Sequence, residues 1–125
     1  MKLRLQSLHV LGAGDVAYCL ASLIESLVEI NERFLLRTRC PKLYGSGVRY
    51  EESDEWHDVP ALLSSRLGDC KSLAAWRLAE LRREGEMSTP HIVRRQRPGE
   101  ILFHVQVRRC FGEIEDPSRI LGMSE

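Results

Sequence analysis

The apolar positions in the first third of the chain predict a strand followed by a long helix. Leu3 and Leu5 alternate with polar neighbours, so we expect a short strand that ends at Val10. Farther along, apolar residues recur at helical spacing and predict a helix over residues 16–36, with Asp15 as its N-cap. The members of this apolar stripe are Val16, Leu20, Leu23, Ile24, Leu27, Val28 and Ile30.

The middle of the chain predicts an extended segment and then two helices. Residues 42–58 combine glycines, serines and two tyrosines, which is typical of a strand or an extended loop. Asp58 at the end of this segment can cap a short helix that begins near Pro60. A further helix over about residues 70–83 is apolar on more than one side, which indicates close packing against a sheet, and Gly85 is its predicted C-terminal cap.

The last third of the chain predicts β-structure. Runs of alternating residues indicate strands over about 91–95 and 101–109, and a last one over 113–116. Because helices come first and an antiparallel sheet follows, we expect an α+β domain in which the helix over 70–83 packs on a small sheet.

Length and charge restrict the classes of function. With 125 residues, 43% of them apolar, the chain is expected to form one domain, residues 1–125, with a helical part over 1–43 and a core over 44–123. Eighteen basic and eighteen acidic residues cancel, so no overall field attracts nucleic acid, and we expect no nucleic-acid partner. The short basic run at 94–97 is interpreted as a solvated loop.

The cysteines and the apolar runs predict no metal, disulfide or membrane span. The four cysteines lie far apart without a Cys-x-x-Cys pair, so we interpret them as reduced thiols: Cys19, Cys40, Cys70 and Cys110. A membrane-spanning helix needs about 20 consecutive apolar residues, and every apolar run in this sequence is much shorter. We therefore expect a protein that is made and is soluble in a cytoplasm.

A glycine pair near the start matches a dinucleotide-binding motif by composition only. Gly12 and Gly14 fit G-x-G-x-x-A, but such a site also needs a second parallel strand that ends in an acidic residue. The chain continues after residue 36 with Arg-Thr-Arg-Cys-Pro instead. We therefore expect no nucleotide or other cofactor.

A cysteine, a histidine and an aspartate form the candidate catalytic set. Cys70 opens the predicted helix, His104 lies in a strand 34 residues later, and Asp116 ends the last strand after a further 12. A thiol is a good nucleophile as the thiolate, which a helix N-terminus and an imidazole stabilise, and a carboxylate orients the imidazole. Taken alone, Cys70 would be a small buried residue, since that is the common position of a free cysteine.

The last hairpin offers two registers, and only one of them supports this set. A two-residue loop would pair Val107 with Asp116 and direct the carboxylate away from the histidine. A three-residue loop over 110–112 pairs Gln106 with Asp116, on the histidine's face, and places a glycine where positive φ is required. The apolar pattern favours the shorter loop, because the longer one places Ile114 on a polar face. The sequence leaves both registers open.

These motifs resemble the transglutaminase-like branch of the papain-like cysteine enzymes. A Gly-x-Cys helix, a histidine strand and an Asp-Pro-Ser element follow one another in that branch, as they do around residues 68–70, His104 and 116–118 here. The resemblance covers about residues 44–123. It is most specific to a group of small phage-encoded proteins, which share the Tyr-Gly-Ser-Gly-Val-Arg-Tyr and Ile-Glu-Asp-Pro-Ser-Arg segments.

The resemblance implies a fold, a chemistry and two possible roles. It implies a papain-like fold and a cysteine hydrolase or acyl transferase that acts on amide bonds of a protein or peptide, similar to a protease or a peptidoglycan peptidase, with no metal or cofactor. The alternative is a non-catalytic phage structural or morphogenesis protein, a head-tail or tail component that binds other virion proteins. Either protein would occur in the host cytoplasm or in a virion. Lys71 and Ser72 stand where the group usually has an acidic pair.

Overall fold

The structure, a computed structural model, is an α+β fold described for residues 13–124, with the backbone alone at 13, 14, 96 and 97. The predicted strand through Val10 and the first glycine of the pair, Gly12, lie outside the described residues. Four α-helices are present in this range: α1 Ala13–Arg37, α2 Val59–Ser65, α3 Cys70–Arg83 and α4 Pro117–Ile120. Five strands accompany them: β1 Arg49–Tyr50, β2 Leu67–Gly68, β3 Thr89–Arg97, β4 Glu100–Arg108 and β5 Ile114–Glu115.

Helix α1 confirms the predicted long helix but begins earlier than expected. It starts at Ala13, so the assignment of Asp15 as N-cap was wrong. Asp15 lies in the first turn instead, where a carboxylate interacts favourably with the positive end of the helix dipole. The apolar stripe is only partly buried, because Leu23 and Ile30 face outward and four other members enter the core: Leu20, Ile24, Leu27 and Val28.

Helix α3 is the central element of the fold. It contacts both α1 and β4, and its small side chains Ala74, Ala75 and Ala79 are fully buried, which allows a close approach of its neighbours. On its other side, Trp76 packs in an apolar cluster that is separate from the one between α3, α1 and β4. The members of this cluster are Leu43, Val48, Val59, Leu62, Leu73, Trp76 and Leu121. The prediction of a helix that is apolar on more than one side is therefore confirmed.

The predicted caps at Asp58 and Gly85 are observed. Asp58 accepts a hydrogen bond from the backbone N–H of Ala61 at 3.0 Å and caps α2. Gly85 follows the end of α3 with φ +90°, and its N–H donates to the carbonyl of Arg82 at 3.0 Å. This left-handed residue ends the helix where the sequence predicts, because glycine adopts positive φ without steric cost.

The described strands form two sheets. Strands β3, β4 and β5 form an antiparallel sheet in chain order, which confirms the predicted antiparallel arrangement. Strands β1 and β2 form a separate parallel pair in which Tyr50 lies opposite Gly68. The sequence predicted an extended segment at β1 but not its pairing with the residues that precede α3.

The hairpin between β4 and β5 has the longer of the two predicted loops. Val107 pairs with Glu115, and the N–H of Arg109 donates to the carbonyl of Glu113 at 2.7 Å, which leaves residues 110–112 as the loop. Gly112 adopts φ +91°, as that loop type requires. The apolar Ile114 that favoured the shorter loop is 45% exposed, so it adds little to the core in this register.

Gly68 gives a stability prediction, because a Cβ at this position would overlap the side chain of buried Leu62 and lie 3.3 Å from Leu73 Cδ2. We expect Gly68→Ala to lower the free energy of unfolding by about 1–3 kcal/mol, the usual cost of overpacking a core. Gly45→Ala is the matched control, since nothing lies within 4 Å of its added Cβ. Urea unfolding measures both, and equal midpoints for the two variants would contradict the prediction.

None of the helices in the described part of the chain is both long enough and apolar enough to cross a membrane.

Candidate active site

The fold brings the three predicted residues together. His104 Nε2 lies 2.8 Å from Asp116 Oδ2. The Cys70 thiol lies close enough to the same imidazole to raise its pKa. Because Asp116 occupies Nε2, the thiol is left with Nδ1. The imidazole is therefore bonded to the carboxylate and interacts electrostatically with the sulfur, and these are the two partners that an activated cysteine needs.

Each member of this triad is positioned by a different element. Cys70 is the first residue of α3, and His104 lies in β4 between the buried residues Phe103 and Val105. Asp116 directly follows β5 and is the N-cap of α4. The three-residue loop places Asp116 on the face of β4 that carries His104, because residues opposite one another in an antiparallel pair share a face.

Burial differs across the triad. Cys70 is 2% exposed as a whole residue, whereas the side chains of His104 and Asp116 are 14% and 12% exposed. The thiol is thus covered by the protein, and the imidazole and carboxylate are close to the surface.

The electrostatics of the pair favour an imidazolium. Burial opposes protonation of His104, but hydrogen bonds and charges from Asp116 and Cys70 outweigh it and raise the pKa of His104 to about 9. Burial also works against ionisation of Asp116, yet the hydrogen bonds from His104 and Gln106 hold its pKa below the usual value. At neutral pH the two groups therefore form a charged pair, which leaves the imidazole as a proton donor beside the sulfur.

Gln106 supports the carboxylate in a way that the sequence did not reveal. Its Nε2 donates to Asp116 Oδ2 at 3.1 Å, so the same oxygen accepts from Gln106 and from His104. The other oxygen of Asp116 accepts from the N–H of Arg119 at 3.3 Å. The sequence feature that could have predicted this bond is the longer hairpin register, which pairs Gln106 with Asp116. A hydrogen bond between the two side chains does not follow from that pairing alone.

Tyr50 is a further residue near the thiol that the sequence did not assign to the site. Burial and the nearby groups Cys70, Glu52, Asp69 and Asp116 raise the pKa of Tyr50 to about 12. Its phenol therefore stays protonated and remains a hydrogen-bond donor. The sequence feature that could have assigned Tyr50 to the site is its position at the end of the Tyr-Gly-Ser-Gly-Val-Arg-Tyr segment, which is part of the family resemblance.

The start of α3 is capped by a buried carboxylate. Asp69 is 1% exposed, and its Oδ1 accepts from the N–H of Ser72 at 3.4 Å. The first turn of a helix presents N–H groups without intrahelical acceptors and carries a partial positive charge. Cys70 lies in that turn, so the helix end favours the thiolate and a developing oxyanion next to it.

A network of charged side chains fixes the strand that precedes Asp116. Glu115 accepts from Tyr44 Oη at 2.5 Å and from Arg77 Nε at 2.6 Å on one oxygen, and from Arg109 Nη1 at 2.8 Å on the other. Arg109 also bonds Glu86, which follows α3. These bonds tie β5 to α3 and to the 3-10 turn Leu43–Gly45, and they restrict the position of the residue that follows Glu115.

Other candidate groups do not converge on a site. All four cysteines are unpaired, with Cys19 and Cys110 exposed. Among the described residues, no group of three or more histidine, cysteine, aspartate or glutamate side chains could hold a metal ion. Gly14, the second glycine of the nucleotide-like motif, lies inside α1 and not in a loop before it.

Comparison with known proteins adds no relationship: no family model matches the chain, and no curated protein or solved structure is significantly similar to it.

Proposed function

We propose that the protein is a cysteine hydrolase or acyl transferase with a papain-like, transglutaminase-like catalytic core. The observation that carries the proposal is the imidazole of His104, which is bonded to the Asp116 carboxylate and lies close enough to the Cys70 thiol for that group to raise its pKa. A charged imidazolium beside a sulfur at a helix start is the arrangement that generates a nucleophilic thiolate at neutral pH. The substrate class is an amide or ester of a protein or peptide.

The proposed reaction has two halves. The Cys70 thiolate attacks the substrate carbonyl carbon, and the resulting oxyanion is stabilised by N–H groups at the start of α3. As the bond to the leaving amine or alcohol breaks, His104 gives its proton to that group, which leaves a thioester on Cys70 and a neutral imidazole. His104 then takes a proton from water or from an acceptor amine, which attacks the thioester and releases the thiolate.

Asp116 and Gln106 act on this cycle through the imidazole. Asp116 holds Nε2, so Nδ1 faces the sulfur, and its negative charge stabilises the imidazolium of the resting site. Gln106 donates to the same carboxylate oxygen and keeps it in place. Neither residue touches the reacting carbonyl, so both are positioning residues.

A second candidate function is a binding module without catalysis. The near-complete burial of Cys70 favours it, because a core cysteine needs no substrate access. In this reading the domain is a structural or assembly component of a phage particle and contacts other virion proteins. Acylation of Cys70 separates the two functions, since a closed core thiol does not react with an ester.

The test uses p-nitrophenyl acetate, an activated ester that is small enough to enter a narrow site. We expect a burst of nitrophenolate and an acetyl group on Cys70, located by peptide mass spectrometry. In His104→Gln we expect the burst rate to fall by about 100-fold, because the thiolate loses its partner. Cys110→Ser is the matched control and should keep the wild-type burst, since Cys110 is an exposed thiol of the hairpin loop. Acetylation confined to Cys19 or Cys110 in the wild type would contradict the proposal.

Methylamine added to the same assay distinguishes the two reaction types. A transferase should form N-methylacetamide as the thioester decays, and the rate of decay should increase with the amine. A hydrolase should release acetate at a rate that is independent of the amine.

A further inference from the structure

Lys71, the residue after the candidate nucleophile, is a completely buried lysine. Its side chain is 0% exposed and its ammonium is paired with the carboxylate of Asp69, which is 1% exposed. Nζ also donates to the carbonyl of Ser53 at 3.1 Å and lies 5.3 Å from the centre of a ring of Trp56. Lysine is almost never fully buried unless it is paired, so these contacts account for its position.

Ser72, the residue after Lys71, also binds the loop segment over residues 53–57. Ser72 Oγ accepts from the backbone N–H of His57 at 3.0 Å. Residues 53–57 are therefore held against the first turn of α3 by the two side chains that follow Cys70. This segment also borders a groove of about 290 Å³ that reaches Gly68 and Leu67 at the entry to α3.

We propose that Lys71 is a positioning residue of the Cys70 site: it neutralises the buried cap carboxylate of Asp69 and holds residues 53–57 against the start of α3. The inference rests on the proposed function, since it assigns Lys71 a part in keeping Cys70 reactive. Burial raises the pKa of the Asp69 carboxyl and Lys71 counteracts that rise, so without the ammonium the carboxylate beside the sulfur would lose its compensating charge, and the segment would lose its anchor at Ser53.

The charges around Cys70 determine the direction of the expected effect. His104 of β4, which is bonded to Asp116, and Tyr50 of β1 both interact electrostatically with the thiol. Asp69 and Lys71 flank it in the chain. Glu52, the remaining acid beside Tyr50, belongs to the segment before Ser53. Because an anion near the sulfur opposes the thiolate and a cation favours it, removing Lys71 or Asp69 alone should act in opposite directions.

The test follows the rate of Cys70 alkylation by iodoacetamide as a function of pH in three variants. We expect Lys71→Met to raise the pH of half-maximal rate by roughly one unit and Asp69→Asn to lower it by a similar amount, the size of effect that one nearby charge produces. The double variant Asp69→Asn/Lys71→Met removes both charges. Its midpoint should return to within about 0.3 units of the wild type.

Circular dichroism shows which variants fold. Lys71→Met leaves a buried unpaired carboxylate and is the variant at risk of not folding. If it does not fold, the proposal is tested by the shift in Asp69→Asn and by the return of the midpoint in the double variant. Superimposable profiles in all folded variants, or shifts in the same direction for the two single variants, would overturn the proposal.

The outcome is separable from that of the proposed function. The three profiles compare Cys70 with itself, so they retain their meaning if the protein has no esterase burst. Conversely, a burst with unchanged midpoints would leave the proposed function intact and remove the role of Lys71.

Discussion

Replacing Asp116 by asparagine should lower the alkylation rate of Cys70 at about pH 7.5 by about 10-fold. The carboxylate is one of the groups that raise the pKa of His104 to about 9, and its loss returns the pKa of the imidazole toward its ordinary value of about 6.5. At neutral pH His104 would then be mostly neutral, and the thiolate would lose its cationic partner. Iodoacetamide labelling followed by peptide mass spectrometry measures the rate.

The pH dependence of stability provides a second readout of the same substitution. A His104 pKa that is higher in the folded state contributes stability that is full below about pH 6.5 and is lost as the pH rises through about 9. The difference in unfolding free energy between the wild type and Asp116→Asn should therefore shrink over that window. Glu113→Gln is the control, because it removes an exposed carboxylate from the same hairpin. Equal labelling rates for the wild type and Asp116→Asn would contradict the role of the carboxylate.

Replacing Glu115 by alanine should lower the free energy of unfolding by about 3 kcal/mol. The substitution leaves the largely buried Arg77 with Glu80 as its remaining carboxylate partner and removes an acceptor from Tyr44 and from Arg109. It also releases β5 from α3. Since Asp116 follows directly, we expect slower labelling of Cys70 in the folded variant as well. Urea unfolding gives the free energy.

Glu29→Ala is the matched control for this charge removal. Glu29 pairs with Arg33 at 3.0 Å on the outer surface of α1, where both side chains are exposed. A surface ion pair of this kind contributes only about 0.5 kcal/mol. If Glu115→Ala costs no more than Glu29→Ala, the network around Glu115 does not anchor β5.

The elements that the sequence predicted are those with local signals. Helix α3 has an apolar surface on several sides, an aspartate cap at Asp69 and a terminal glycine at Gly85, and each of these depends only on near neighbours. The β4–β5 register was open because two local signals disagreed. The positive φ of Gly112 prevailed over the apolar character of Ile114, since an edge residue is able to stay exposed at little cost.

The features that the sequence did not predict depend on distant partners. The pairing of β1 with β2 involves two residues in each strand, which is too short for a periodic pattern. The burial of Lys71 depends on Ser53 and Trp56, which come from a loop before α2. The near-complete burial of Cys70 likewise follows from packing of α3 in the core and not from its neighbours in the chain. Such contacts become visible only once the elements have been assembled.

The central claim is that His104 activates Cys70, and the pH profile of Cys70 alkylation tests it most directly. Iodoacetamide labelling of each cysteine, from about pH 5 to about pH 9, compares the shapes of the profiles, because the 2% exposure of Cys70 lowers its absolute rate. We expect the Cys70 profile to rise at a lower pH than that of exposed Cys110, and this difference to disappear in folded His104→Gln. A Cys70 profile that coincides with that of Cys110 in the wild type and is unchanged in His104→Gln would contradict the claim.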